Sequence, residues 1–173
     1  MQQMVDRMIR AARLEPALYE EVEADRSTMG QAAAVVLISS LAAGIPAFHV
    51  AGVRGIATVT LFTVLGWYIW AALTWFIGTR ILPEPETRAD IGELLRTLGF
   101  SSAPGVIRVF GIIPGIGVVI EIVASFWMLA SMVVAVRQAL DYTSTPRAVA
   151  VCLIGFIVQL CLTALVLWPM HAQ

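Results

Sequence analysis

Five apolar stretches fill most of the chain beyond residue 28, each longer than a strand that a soluble core would bury, and this pattern restricts the fold more than any motif does. They run over 29–51, 56–82, 99–113, 115–136 and 148–168. At about 1.5 Å per residue, four of them match or exceed the roughly 30 Å hydrocarbon layer of a bilayer. Hydrophobic residues are 59% of the 173 and charged residues 13%, so a water-soluble fold would leave too much apolar surface uncovered. The expected fold is an all-α polytopic membrane protein with five transmembrane helices. A charged helical segment (1–28) precedes them, an amphipathic interfacial helix lies between spans two and three, and a short external tail (170–173) follows. No cleavable signal peptide is expected, because residues 1–28 are studded with charge and lack an apolar run.

The 99–113 stretch, GFSSAPGVIRVFGII, is short and contains a proline and an arginine, so a re-entrant loop competes with a crossing. Basic residues decide between them. If the stretch crosses, Arg7, Arg10, Arg13, Arg26, Arg80, Arg88, Arg96, Arg137 and Arg147 share the amino-terminal side and only Arg54 lies opposite. Five spans with a cytoplasmic amino terminus and an external carboxyl terminus follow, in a bacterial inner membrane. The third span then borrows Leu94 to Leu98 and bends near Pro104. The preceding TRADIGELLRTL places Ile91, Leu94, Leu95 and Leu98 at helical spacing, which predicts the interfacial helix, with Thr87 or Asp90 as its cap.

Several function classes are disfavoured. All eleven basic residues are arginine, the net charge is −1 and no basic face exists, which argues against a nucleic-acid partner. Cys152 and Cys161 point to opposite faces of one helix and read as apolar filler. His49 and His171 have no carboxylate or thiol beside them and read as interfacial residues, not metal ligands. Gly111, Gly115 and Gly117 mark a tight turn with Pro114 and not a phosphate loop. No metal site, cofactor or catalytic residue is expected.

Arg108 and Glu121 are the charges inside the spans, away from their ends. They stand six residues before and seven after Pro114, so an antiparallel hairpin carries them to nearly equal depth, about 10 Å from the interface. A salt bridge that fixes the hairpin register is preferred to a proton relay. On span two, Thr60, Thr63, Trp67, Trp70 and Thr74 form a stripe of hydroxyl and indole groups, read as a packing or partner face. Ser40 with Gly44, and Ser131 with Ala135, give small-residue spacings that permit close helix approach. In the amino-terminal segment, Val5, Ile9 and Ala12 form one stripe and Leu14, Leu18 and Val22 another. Glu20, Glu21, Glu23 and Asp25 are expected on a solvated face.

Gly99, Phe100, Ser101 and Pro104, in GFSSAP after LLRTL, resemble the entry to the third span in the YIP (Ypt/Rab-interacting protein) family. EPALYEEVEAD before span one and the GIIPGIG turn extend the resemblance over nearly the whole chain. It implies five spans and a non-enzymatic scaffold with a protein partner or self-association in the membrane, beside membrane lipids. Eukaryotic members associate with small GTPases. Here Phe100 replaces a common tyrosine and the leading segment is short, as in a bacterial-type member, so GTPase binding is not carried over. A small transporter or channel subunit using Arg108 and Glu121 is the alternative.

Overall fold

The computed structural model describes residues 1–171 except Pro114, with the backbone alone described at 46–51 and 162–171. It is all-helical among these residues. Two short helices, α1 (Gln2–Ala12) and α2 (Pro16–Ala24), lead through a 3-10 turn at Arg26–Thr28 into α3 (Met29–Phe76), which ends in a π-helical turn at Ile77–Ile81. Then follow α4 (Ile91–Ser101), a 3-10 helix at Ala103–Ile112, α5 (Gly117–Ala139) and α6 (Thr145–His171).

Three stretches are long and apolar enough to cross a membrane: Arg26–Ile45, Gly52–Ile81 and Gly117–Ala139. Within α6, Thr145–Cys161 is a shorter apolar helix among the described residues. The first two belong to α3, whose two arms reverse at Gly52. Its φ of 59° and ψ of −148° lie where side-chain-bearing residues rarely go, so glycine permits the fold-back. The arms touch where Gly44 meets Ile56: a Cβ on Gly44 would stand 3.2 Å from the Ile56 Cα. The expected bend at Pro46 lies outside the described side chains.

The segment before the third stretch departs from the interfacial helix expected over 87–98. Asp90 caps α4 reciprocally: its carboxylate accepts from the Glu93 amide at 2.9 Å, and the Glu93 carboxylate accepts from the Asp90 amide at 2.8 Å. From Leu94 to Ser101 every residue is buried, against α2, α3 and α5. A helix lying at an interface keeps one face in water; this one keeps none over its last two turns. It continues directly into the 3-10 helix, at about 16 Å for α4 and about 20 Å for the ten residues that follow.

The core explains the burial. Gly99 lets α4 cross α3 so closely that an added Cβ would lie 2.7 Å from the Ala32 Cβ and 3.1 Å from its carbonyl oxygen. Leu94, Phe100, Val35, Val36, Val136 and Ala135 fill the surrounding layer with at most 1% exposure. By contrast Leu61, Phe62, Phe126 and Phe156 are 56–71% exposed, an apolar rim that water would not tolerate on this scale.

Candidate functional site

The leading helices are not solvated along their length. Leu18, Tyr19 and Val22 of α2 are completely buried, each by an amount that contributes about 1.5–3 kcal/mol. The Tyr19 hydroxyl lies 2.6 Å from the Ser131 Oγ of α5 and 3.4 Å from the Ala11 carbonyl. Burial pushes its pKa up to about 12, opposed by the Ser131 hydrogen bond. Arg96, 4% exposed, reaches from α4 to the end of α2: its Nε donates to the Val22 carbonyl at 2.9 Å and its Nη2 to the Glu23 carbonyl. These are carbonyls that the last turn of a helix leaves without partners, and a cation there suits the helix dipole.

The acidic face works inward as well. Arg7 is 4% exposed and pairs with Glu21 at 2.8 Å, also donating to Gln31 at 3.0 Å. Arg10 reaches Glu21 at 2.6 Å and Glu15 at 3.2 Å. Together these guanidinium groups hold the Glu21 carboxyl below its usual range, with the Arg10 hydrogen bond the largest cause. Glu23 differs: partial burial, then the nearby Asp141 and Glu93, push it up to about 7, and Arg96 only partly opposes them. It lines a polar recess of about 380 Å³ with Glu20, Arg137, Gln138, Asp141, Tyr142 and Thr143.

Next to that recess the loop after α3 is clipped to the α5–α6 connection. Glu84 accepts from the amide and hydroxyl of Thr143 at 2.9 and 2.8 Å, and Arg147 stands 3.6 Å from it. The Tyr142 hydroxyl is shared between the carbonyls of Gly78 (3.0 Å) and Leu82 (2.7 Å). Sequence reasoning missed Arg96, Tyr19, Glu84 and Tyr142. Arg96 carried no signal of this role: at about 100° per residue it falls opposite the stripe of Ile91, Leu94, Leu95 and Leu98, where a solvated cation is the ordinary expectation.

At the opposite end, Arg108 and Glu121 face each other across the α5 hairpin, with Nη2 to Oε1 at 2.9 Å and Nε to Oε2 at 3.0 Å. Arg108 also donates to the Ser125 Oγ at 3.2 Å and approaches the Met128 sulfur at 3.3 Å. The 3-10 geometry accounts for this alignment. At three residues per turn, Gly105, Arg108 and Gly111 stack in one column. An added Cβ on Gly105 would lie 2.8 Å from the Met128 sulfur and clash with the Ser39 hydroxyl, and one on Gly117 would lie 2.8 Å from the Gly111 carbonyl. The arginine is thus carried on a backbone pressed against α5. Gly115 takes φ +87° in the turn, and Pro114 lies outside the described residues. The Glu121 side chain remains 59% exposed on the rim.

The hydroxyl and indole stripe of α3 divides. The Trp67 indole donates to the Leu95 carbonyl at 3.0 Å, Trp70 packs on Gly155 of α6, and Thr74 is buried. Thr60 is half-buried and borders an apolar groove of about 500 Å³ between the arms of α3. Thr63 is exposed and turns its hydroxyl back to the Val59 carbonyl at 2.8 Å. So the stripe shares one side of its helix but packs against two different elements and is not a single contact surface. Gly99, Phe100, Ser101 and Pro104 are all buried at the α3–α4 crossing. Ser131, one of the small-residue pair, holds Tyr19. Cys152 is buried and Cys161 exposed, both as free thiols. His49 and His171 lie outside the described side chains, as does the 170–173 tail.

Among the described residues no three His, Cys, Asp or Glu side chains converge as metal ligands. The polar groups described above bond to one another across element boundaries, which is an arrangement for holding helices in register. No curated protein and no solved structure matches the chain. A family model does, the Yip1 domain, over residues 17–166, which takes in α2, the α3–α4 crossing, the charged hairpin and the clipped loops. The chain is a membrane protein of the Yip1 domain family.

Proposed function

We propose that the protein is a non-enzymatic scaffold that organises partner proteins, or copies of itself, within a bacterial cytoplasmic membrane. Five crossings, with α1 and α2 on the cytoplasmic side and the carboxyl terminus outside, are the topology this reading requires. The composite segment of α4 and the 3-10 helix supports a third crossing, since its combined length of about 36 Å exceeds the hydrocarbon layer.

One observation carries the scaffold reading. Arg96, Tyr19, Arg7 and Gln138 all join the leading helices to the bundle through specific bonds, so the face formed by α2 and the two clipped loops is rigid. A surface fixed in this way presents the same groups to a partner at every encounter, without the ordering cost of a flexible tail. Cross-linking in intact membranes, followed by identification of what is captured, tests it. A reproducible partner or homo-oligomer, lost when Glu20 and Asp141 on that face are both changed to lysine, is the expected result. Capture of nothing under conditions that capture known neighbours overturns it.

The Arg108–Glu121 contact, which also engages Ser125, supports a second reading, a small transporter or channel subunit. Reconstituted liposomes separate the two. A solute or proton flux abolished by Glu121→Gln favours transport, and absence of flux alongside a captured partner favours the scaffold.

A further inference from the structure

We infer that α1 is embedded in the bilayer leaflet on the amino-terminal side, with the ridge of Met1, Val5 and Ile9 facing lipid. The proposal concerns the bilayer and goes beyond the scaffold reading, standing whether or not a protein partner exists.

Three features carry it. First, α1 is two-sided. At about 100° per residue, Met4, Met8, Ala11, Ala12, Val5 and Ile9 fall on one broad arc, whereas Gln3, Asp6, Arg7 and Arg10 share the other. Only part of that arc meets protein: Ala11 is fully buried and Met4 and Met8 are partly so, while Val5 and Ile9 are each 47% exposed and Met1 wholly so.

Second, the helix cannot roll its open ridge inward. Arg7 and Arg10 on its polar side are tied to Glu21 of α2 at 2.8 and 2.6 Å. That clamp fixes the rotation of α1 about its axis and leaves Val5 and Ile9 pointing away from the bundle.

Third, α1 sits beside surface that belongs to a membrane span. The Trp127 indole of α5 donates to the Ala12 carbonyl at 2.7 Å, satisfying a group that the end of α1 would otherwise expose. Up to Leu129 the outward residues of α5 are open and mainly apolar, and from Ser131 to Ala139 no residue is exposed, Ser131 meeting Tyr19 of α2, so this last turn of α1 stands where the open apolar surface of α5 ends. Next to it Phe126 is 71% exposed on a stretch long and apolar enough to cross. The ridge of α1 therefore continues an apolar surface already covered by lipid tails. A helix with one apolar face held in that position lies in the interface with that face toward the acyl chains.

Site-directed spin labelling of the full chain tests this. Val5→Cys and Ile9→Cys report on the ridge, and Gln3→Cys, about 160° around the helix from Val5, reports on the polar face. Each is made in a Cys161→Ser background. Cys152 stays in place because it is buried, and the parent without an added cysteine controls for its labelling. The probe is a nanodisc of phosphatidylcholine and phosphatidylglycerol holding one chain. Labels at 5 and 9 should collide readily with oxygen and poorly with a water-soluble nickel chelate, and the label at 3 should show the reverse. Equal chelate access at all three positions overturns the inference. So does protection that appears only when two chains share a disc, because the occupant of the ridge is then a second copy. The side-chain bonds that hold α1 run through Arg7, Arg10 and the Ala12 carbonyl and not through the labelled side chains, so undocking of α1 is not an expected side effect.

Discussion

Arg96→Met removes a side chain that bonds α4 to the end of α2, and its effect follows from the bonds. Two hydrogen bonds from a guanidinium to the Val22 and Glu23 carbonyls disappear, each worth about 1.5–3 kcal/mol. Taking about 3 kcal/mol as the lower end for the pair, local opening of α2 becomes more than about a hundredfold more frequent. Complete release is not expected, because burial of Leu18, Tyr19 and Val22 still opposes it with about 1.5–3 kcal/mol each. Hydrogen exchange read by mass spectrometry on the nanodisc-embedded protein measures this directly. Amides of 17–24 should lose about two orders of magnitude of protection, while those in the middle of α5 keep theirs. Arg96→Lys should fall between, since an ammonium cannot fork across two carbonyls as a guanidinium does. Unchanged exchange in α2 would refute the reasoning. A matching loss throughout α5 would also refute it, by showing that Arg96 supports the whole bundle and not the docking of one helix.

Glu23 makes that same docking pH-dependent. Its folded pKa of about 7 stands above the ordinary value of 4.5, so the docked state binds the extra proton and docking weakens as pH rises from about 4.5 to 7. The slope is below about 1.4 kcal/mol per pH unit, because the carboxyl is half-exposed and screened. Exchange of the α2 amides, corrected for intrinsic rates, should therefore quicken across that interval, and Glu23→Gln should flatten the trend; a flat profile in the unaltered protein contradicts it. Gly99→Ala should cost about 1–3 kcal/mol through the forced approach to Ala32. Adding Ala32→Gly should recover part of the loss in thermal unfolding, and no coupling between the two sites would mean that the crossing is looser than described. Arg108→Leu alone should lower the unfolding temperature more than Arg108→Leu with Glu121→Leu, because the single change strands a carboxylate. Equal losses would show that the two charges do not depend on each other.

Much of the architecture was legible in composition and periodicity. Apolar runs long enough to cross, separated by Pro and Gly, identify helices in a membrane because in hydrocarbon every backbone group must find its partner within the chain. Charge spacing around the 113–117 turn was likewise enough to bring Arg108 opposite Glu121, since two antiparallel helices leaving a tight turn carry equidistant residues to equal depth. The residues before the third segment were misread. Their period of Ile91, Leu94, Leu95 and Leu98 is that of a half-buried helix, but periodicity reports only what one helix prefers and not how many neighbours surround it. Arg96 is buried with its guanidinium on the Val22 carbonyl of α2, and that contact joins residues more than seventy positions apart.

The sequence by itself determined that this chain is helical, that it belongs in a membrane and where its charged hairpin turns. Those properties follow from hydrophobic length and local backbone chemistry, which act within one segment. Only the tertiary structure decided that the leading acidic segment is clamped to the bundle, that the hydroxyl and indole stripe serves two neighbours, and that Ala103–Ile112 winds as a 3-10 helix. Each of these depends on close approach between distant segments, through Gly99 on Ala32, Gly105 on Met128 and Gly117 on Gly111. A glycine in the sequence says that a neighbour can come near, and the folded chain alone shows which one does.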